Sequence, residues 1–280
     1  METNELEKLA TQVRRDIIRM VHAPQSGHPG GSLGCVEFFV ALYQGGIMKH
    51  DTNFCMSGQN EDVFILSNGH ISPVWYSVLA RSGYFPISEL STFRRLNSRL
   101  QGHPTTHDNL PGIRIASGSL GQGLSVAIGI ALGKKLDGDD SLVFTLCGDG
   151  ELQEGQIWEA AMFAAHNKVD NLILTVDWNG QQIDGPNDKV LSLGNLEHKW
   201  SSFGWNVLVN EHGNNMQSVL DYFNQSKCIN NDKPTVILMK TQMGYGVDFM
   251  TGTHDWHGKA PNDELARRAL DQLEETLGDY

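Results

Sequence analysis

The chain has 280 residues and a formal net charge of −12 at neutral pH. This length allows a sizeable core in one large α/β domain or in two small ones. The acidic balance argues against nucleic-acid binding and favours small-molecule chemistry. The four cysteines show no CxxC pairing and no disulfide-framework spacing, which favours free thiols in a reducing cytoplasm.

No segment predicts a signal peptide or a membrane span. The first ten residues, METNELEKLA, are polar and typical of a helix. No apolar run approaches the roughly twenty residues that a transmembrane helix needs. We therefore expect a cytoplasmic protein that makes no membrane contact.

The first predicted elements are two helices on either side of a glycine-rich segment. Residues 6–20 carry apolar positions at helical spacing and predict an amphipathic helix. Residues 26–34, SGHPGGSLG, contain too many glycines and a proline for regular structure, so we predict a shaped loop that carries His28. The apolar residues 36–43 predict a short buried helix.

A short strand over residues 62–66 is expected to end in the turn SNGH, which places His70 at the strand's carboxyl end. A helix over about 72–82 follows, and then an irregular basic region that contains His103. The segment GSLGQG, residues 118–123, opens a helix that runs to about Leu136. Small residues along this helix favour close helix packing, either within the chain or across a subunit interface.

Residues 142–185 predict a strand–helix–strand unit of a parallel sheet, with strands over 142–147 and 171–176. In the helix between them, Trp158, Ala161, Met162 and Ala165 fall at the spacing of one apolar face. The first strand ends in GDG and the second in DWNG. Both turns therefore lie at carboxyl ends of parallel strands, where open α/β sheets bind ligands.

These two turns combine glycines with oxygen donors. Glycines allow backbone N–H groups to approach an anion, and the Asp149 carboxylate and Asn179 amide oxygen suit Mg²⁺ or Ca²⁺. A metal-bridged diphosphate accounts for this combination. The alternative is that both segments are ordinary tight turns, which favour the same residue types.

The C-terminal third predicts strands over 205–209 and 235–240 around a helix at about 216–226, after a polar, irregular stretch over 186–204. His254 and His257 in a glycine-rich loop resemble a metal pair, but no third zinc ligand follows at usable spacing. A closing amphipathic helix carries Ala266, Leu270 and Leu273, with Leu277 one turn further. With no repeat, low-complexity tract or linker, a single domain over 1–280 fits best.

In chain order, the loops resemble the N-terminal, diphosphate-binding domain of transketolase over nearly the whole chain. The matching motifs are SGHPGGSLG, LSNGH, GHP, GSLGQG, GDGELQEG, DWNGQQIDG and GTHDWHG. The resemblance implies a twisted parallel sheet flanked by helices, and thiamine diphosphate held with Mg²⁺ or Ca²⁺. It also implies transfer of a two-carbon ketol group from a ketose, phosphorylated or an analogue, to an aldose.

The resemblance assigns the cofactor contacts residue by residue. Asp149 and Asn179 match side-chain metal ligands, and Gln181 matches a main-chain carbonyl ligand. Gly148 and Gly150 match residues that lie against the diphosphate.

The resemblance also assigns four histidines. His28 and His254 resemble those at the reacting carbonyl and at the diphosphate, His103 the one that touches the substrate's terminal hydroxyls, and His70 one beside the cofactor. Ketol transfer moves protons on and off oxygen atoms near neutral pH. An ordinary histidine pKa of about 6.5 suits this work.

Gly118, Ser119 and Leu120 match the loop that touches the cofactor's pyrimidine. Glu154 matches a carboxylate that hydrogen-bonds across the dimer to the residue activating the pyrimidine. Ser119 stands where the family commonly has proline, and Gly31 and Ser32 stand where it has Ala-Pro. Both departures are similar to those of short, two-gene bacterial transketolases.

Full-length transketolases continue through a pyrimidine-binding domain and a C-terminal domain. We therefore predict a separate C-terminal transketolase subunit that carries the pyrimidine-binding domain, in an α₂β₂ heterotetramer. The alternatives are the front half of a 1-deoxyxylulose-5-phosphate synthase-like enzyme and a non-catalytic thiamine-diphosphate-binding module. A dinucleotide-binding Rossmann protein is the weakest alternative, because no GxGxxG follows the first strand.

Overall fold

The computed structural model describes every residue from Met1 to Tyr280. Helices α1 to α10 span Thr3–His22, Pro29–Gly34, Val36–Gln44, Ser72–Arg81, Gly123–Asp137, Gly155–His166, Asn187–Val190, Leu196–Ser202, Met216–Lys227 and Asp263–Gln272. Strands β1 to β7 span Val63–Leu66, Val143–Gly148, Leu172–Trp178, Gln181–Gln182, Gly185–Pro186, Asn206–Asn210 and Thr235–Lys240. None of the helices combines the length and the apolar character that crossing a membrane would require.

Five strands form one parallel sheet in the order β1-β2-β3-β7-β6. The register pairs Gly148 with Asp177 and Trp178 with Lys240, so the carboxyl ends of β2, β3 and β7 lie side by side. The two-residue strands β4 and β5 form a small antiparallel pair just beyond β3. The predicted α/β fold, a parallel sheet flanked by helices, is confirmed.

The sheet is covered on both faces, which explains why its strands are apolar along their whole length. Phe64 and Leu66 of β1 face the larger core, which α1–α4, α9 and α10 complete. Val63 and Ile65 of the same strand face the smaller core, formed with α5, α6 and α8. With both faces occupied by helices, the edge formed by the strands' carboxyl ends is left for ligand chemistry.

The glycine-rich segment after α1 is not the loop that the sequence predicts, because Pro29–Gly34 forms helix α2 with proline in its first turn. Its glycines serve close packing. A Cβ on Gly30 would lie 2.8 Å from the Trp256 carbonyl oxygen, and one on Gly34 would lie 2.9 Å from that of Gln242. The small residues thus let the helix sit directly against the loop that follows β7.

The predicted apolar face of helix α6 is wrong by a rotation about the helix axis. The buried residues are Ile157, Ala160, Ala161 and Ala164, whereas Met162 is 55% exposed. The segment GQIWEAAMFAAH is apolar nearly all round, so periodicity alone does not select one face. Phe163, 51% exposed, lies beside Met162 on the outer surface.

Two further predictions need correction, and the small residues of α5 are found on two faces. The stretch 186–204 is not wholly irregular, because it contains the short helices α7 and α8. The closing helix ends at Gln272, so Leu277 lies beyond it and is 54% exposed. In α5, Ala127 and Ala131 are buried, whereas a Cβ on Gly129 or Gly133 would meet no atom within 4 Å. The small residues of α5 therefore lie on two faces, one packed and one open.

Candidate active site

A cavity of about 400 Å³ lies at the carboxyl edge of the sheet, where the turns after β1, β2 and β3 meet. It brings together residues far apart in the sequence, from α2 to the loop before α10. Of the predicted site residues, it is lined by His28, His70, His103, Gly118, Leu120, Gly148, Asp149, Gly150, Glu154, Asn179 and Gln181. The exceptions are Ser119 and His254.

The Asp149 carboxylate joins the two turns that the sequence places at neighbouring strand ends. Its Oδ1 accepts the N–H of Gly150 at 2.8 Å, and its Oδ2 accepts that of Gly180 at 2.6 Å. The Asn179 side chain donates to Asp177 Oδ2 at 2.8 Å and accepts from Gln181 N at 2.9 Å. Asp149, Asp177 and Asn179 thus place carboxylate and amide oxygens in the lining of one cavity.

Two buried carboxylates line this cavity with no arginine or lysine to neutralise them. Asp149 is 1% exposed and Asp177 is 2% exposed. Burial, and then the charge of Asp177, raises the pKa of Asp149 to about 7. Burial likewise raises the pKa of Asp177. A bound divalent cation would relieve this repulsion, so the donor set fits a hard cation.

The adjoining glycines leave room for an anion. A Cβ on Gly148 would lie 3.7 Å from Asn68 Nδ2 and would therefore fill cavity space. The Asn68 Oδ1 is buried without a hydrogen-bond partner. No group of three or more His, Cys, Asp or Glu side chains converges as a metal site. A cation here would thus depend on amide and carbonyl oxygens as well as on Asp149.

Four imidazoles also line the cavity, and they form a cluster. The ring centroid of His28 lies 5.1 Å from that of His70, 6.1 Å from that of His103 and 5.7 Å from that of His257. His70 and His257 are 4.9 Å apart. His28 is held by its position directly before α2, where its carbonyl accepts the Ser32 hydroxyl at 2.6 Å.

The environment favours the neutral form of every imidazole in this cluster. Burial, followed by the nearby charges of His257, Arg94 and His103, lowers the pKa of His28 to about 4. Burial also lowers the pKa values of His70, His103 and His257. A neutral imidazole has one ring nitrogen that donates a hydrogen bond and one that accepts, so the cluster can bind carbonyl and hydroxyl oxygens.

His257 lines the cavity, whereas the predicted His254 does not. His254 is the first residue of the 3₁₀ turn His254–Trp256, in which Trp256 is buried, and His257 directly follows the turn. The turn leaves the His254 side chain 38% exposed beside Asp255 and outside the cavity, whereas His257 joins the imidazole cluster. The two histidines also face different surroundings, so they do not form the zinc pair.

The GSLGQG loop, residues 118–123, lies directly against the cavity. Gly118 has φ +123°, and a Cβ on it would lie 2.6 Å from His103 Cδ2, so only glycine fits there. Gly118 and Leu120 line the cavity, whereas the exposed Ser119 does not. Glu154 lines the cavity near the same loop, and a Cβ on Gly121 would lie 2.9 Å from its Cβ.

Sequence reasoning missed several lining residues: Gly31, Asn68, Glu151, Gln153, Asp177, Gln182, Ile183, Met243 and His257. Asn68 and Asp177 could have been found from their place at the carboxyl ends of β1 and β3. Glu151 gave a weaker signal, a charged residue directly after GDG. Met243 comes from a distant loop, and no local pattern indicates it.

The sequence matches the family described as "Transketolase, thiamine diphosphate binding domain" over residues 6–278. One relative is a subunit of the apulose-4-phosphate transketolase of Actinobacillus succinogenes, which is 37% identical over 273 residues, covering 97% of each chain. Another is a subunit of the 6-deoxy-6-sulfo-D-fructose transketolase of Clostridium sp., which is 37% identical over 270 residues, covering 96% of each.

Single-chain transketolases match as well, but over less than half of their length. The Campylobacter jejuni enzyme superimposes with a TM-score of 0.88 at 31% identity, over 98% of this chain and 43% of that one. The human enzyme is 32% identical over 271 residues, which is 42% of its length. The parallel α/β sheet, with buried carboxylates and an imidazole cluster lining one cavity, is thus found in a thiamine diphosphate-binding domain. The chain belongs to the transketolase thiamine-diphosphate-binding family.

Proposed function

We propose that this chain is the N-terminal subunit of a two-subunit transketolase. It would transfer a two-carbon ketol group from a ketose to an aldose. The observation that carries the proposal is one cavity lined both by buried carboxylates, suited to a metal-bound diphosphate, and by four imidazoles whose pKa values are lowered. The front-half synthase and the non-catalytic module find less support, because the two relatives of similar length are named as transketolase subunits.

In this proposal the carboxylates and the imidazoles divide the work. Asp149, Asn179 and the main-chain carbonyl of Gln181 would hold Mg²⁺ or Ca²⁺, with Gly148 and Gly150 against the diphosphate. When bound, thiamine diphosphate supplies the electron sink that carbon–carbon bond cleavage needs. His28, His103 and His257 would exchange protons with the substrate's carbonyl and hydroxyl oxygens, and His70 would lie beside the cofactor.

A separate C-terminal subunit would complete the site. The outer face of α5 and α6 supports this part of the proposal, because it exposes Val126, Met162 and Phe163 and keeps two open glycines. Such a face allows a partner helix to approach closely. Two copies of each chain in an α₂β₂ heterotetramer are the expected closed arrangement.

The test is to purify the chain alone and together with a candidate C-terminal subunit, and to measure ketol transfer and mass by light scattering. The mixture should turn over substrate as a heterotetramer, and the lone chain should be inactive. Equal turnover by the lone chain would refute the two-subunit proposal. A complex that reacts with no ketose donor would refute the reaction while leaving the assembly intact.

We propose that the sugar substrates carry a negatively charged group, phosphate or sulfonate. The support is the two relatives, whose names specify apulose-4-phosphate and 6-deoxy-6-sulfo-D-fructose. Matched ketose donors with phosphate, sulfonate or a free hydroxyl at the far end should separate these classes. Equal kcat/KM for the charged and uncharged donors would contradict the proposal.

We also propose a reducing, cytoplasmic location for the protein. All four cysteines are free, and Cys35 and Cys147 are buried beside the site carboxylates Asp177 and Glu151. Cell fractionation with an antibody against the chain would test this location.

A further inference from the structure

Glu151 is a buried carboxylate that contacts three different loops of the cavity. It follows the GDG turn, in the 3₁₀ turn Gly150–Gln153, and is only 3% exposed. Its Oε1 accepts hydrogen bonds from the Ser67 hydroxyl and from Gly121 N, the latter at 2.8 Å. Its Oε2 accepts from Gly148 N at 3.0 Å. No lysine or arginine pairs with it, so these donors satisfy the carboxylate.

Each donor belongs to a different wall of the cavity. Ser67 precedes Asn68 in the turn after β1, Gly121 follows Leu120 in the GSLGQG loop, and Gly148 ends β2. The network extends one step further, because the Ser67 hydroxyl accepts Gly123 N, the first residue of α5, at 3.1 Å. The Glu151 side chain therefore connects three segments: the GDG turn after β2, the GSLGQG loop, and the turn after β1 that carries His70.

We infer that Glu151 is a positioning residue that sets the spacing of the three loops and so preforms the cavity for its cofactor. This inference rests on the proposed function only in naming thiamine diphosphate as the ligand. Without Glu151, the three loops would lose their common acceptor. The ligand would then have to order them on binding, and its affinity would fall by the cost of that ordering.

The side chain's geometry predicts which substitutions break the network. In Glu151→Gln one oxygen can still accept from Ser67 and Gly121, but the new NH₂ group faces the N–H of Gly148, so that one bond is lost. Ser67→Ala removes the link to the turn after β1 and to α5 while leaving the two backbone bonds in place. Glu197→Gln is the matched control, because Glu197 is an exposed glutamate on α8.

The test uses the full chain in complex with its C-terminal subunit. Calorimetry in the presence of Mg²⁺ gives the Kd for thiamine diphosphate, and steady-state assays give kcat and the cofactor KM. We expect Glu151→Gln to raise Kd and KM about tenfold or more, the scale of losing a hydrogen bond to a charged group, with kcat at saturating cofactor within about threefold. Ser67→Ala should shift Kd in the same direction by less.

Amide hydrogen exchange of the cofactor-free chain provides a second readout. Gly148 should exchange faster in Glu151→Gln than in Glu197→Gln, and Gly123 should exchange faster in Ser67→Ala, while amides of β3 stay protected. A Kd within twofold of the control, or a loss of kcat with unchanged Kd, would overturn the positioning role. If even the unmodified complex fails to bind thiamine diphosphate, the proposed function fails, and unchanged exchange at these glycines would separately refute the role of Glu151.

Discussion

Arg94 is the one arginine that is neither exposed nor paired with a carboxylate, and it lies beside the imidazole cluster. Its backbone has φ +56°, and its Nη1 donates to Ser26 Oγ at 3.2 Å. The guanidinium packs on Gly102, where a Cβ would lie 2.4 Å from its Cζ. After burial, its positive charge contributes to the lowered pKa values of His28 and His103.

Replacing Arg94 with glutamine should therefore raise the pKa values of both histidines. A nearby positive charge disfavours imidazolium, so removing that charge favours protonation. The acidic limb of the pH–rate profile should move to higher pH, and NMR titration of the histidine ring protons should show the same direction. Arg95→Gln changes the same charge at an exposed position and serves as control. Unchanged or lower pKa values in Arg94→Gln would contradict this account.

Asp149→Asn should abolish Mg²⁺-dependent binding of thiamine diphosphate while making the cofactor-free chain no less stable. The native carboxylate has a pKa of about 7, raised above its ordinary value by burial and by Asp177. Between about pH 4 and 7 the unfolded chain has lost this proton while the folded chain keeps it. The contribution of Asp149 to the free energy of unfolding of the wild-type chain therefore falls as pH rises through that range.

The asparagine variant lacks this titration. Its Tm, relative to that of the wild type, should therefore increase steadily from pH 4 to pH 7. Asp271→Asn, at an exposed position on α10, should show no such trend. A variant that retains wild-type affinity for the cofactor in calorimetry would remove Asp149 from the metal site.

At the scale of elements, the last residues of the chain are tied to the first helix. Asp279 accepts from Arg15 Nη2 at 2.7 Å, from Arg19 Nη1 at 3.1 Å and from Gln12 Nε2 at 2.9 Å, all on α1. The hydrogen bond from Arg15, the largest cause, lowers the pKa of Asp279 to about 2. These contacts hold the segment after α10 against the helix that begins the larger core.

Asp279→Asn should lower the free energy of unfolding by about 1–2 kcal/mol, because it removes the charge from a partly buried set of hydrogen bonds. Since the folded pKa lies below the unfolded one, this contribution is complete above about pH 4. It is then lost as pH falls towards 2. Urea titrations at pH 7 and pH 3 would measure the difference, with Asp271→Asn as control. An equal effect at both pH values would show that the charge is not responsible.

The sequence predicts the five strands of the parallel sheet well, because short, mostly apolar runs such as 235–240 are typical of strands that are covered on both faces. It does not distinguish His254 from His257, since both lie in one glycine-rich loop and only the folded turn shows that His257 lines the cavity. It mistakes α2 for a loop, because the low helix propensity of glycine is a property of the isolated chain. In the folded protein, Gly30 and Gly34 are needed because neighbouring backbone leaves no room for a Cβ. The hydrogen bonds of Glu151 could not be predicted from the sequence either, since their donors lie far apart along the chain.

At the scale of the whole molecule, the face of α5 that carries Gly129 and Gly133 allows the stability of the chain and its assembly with a partner to be tested independently. A Cβ on Gly129 would meet no atom within 4 Å, and replacing glycine inside a helix stabilises it by up to about 1 kcal/mol. Gly129→Leu should therefore keep or raise the Tm of the lone chain while weakening its complex with the C-terminal subunit.

Light scattering and thermal unfolding of Gly129→Leu measure the two effects independently. Asn224→Leu, on the exposed surface of α9 across the sheet, adds a similar side chain away from the proposed interface. It should leave the complex intact. Full assembly by Gly129→Leu would place the partner on another surface.

The cavity draws its walls from segments that span most of the sequence, from His28 in the approach to α2 to His257 after β7. Parallel strands and distant contacts make such a chain a slow folder, because long loops must close before their contacts form. No fragment that lacks either end can hold the complete set of walls. The ability to bind a diphosphate should thus arise late in folding, together with the last native contacts. A ligand that binds only this finished state draws nascent chains towards it by mass action.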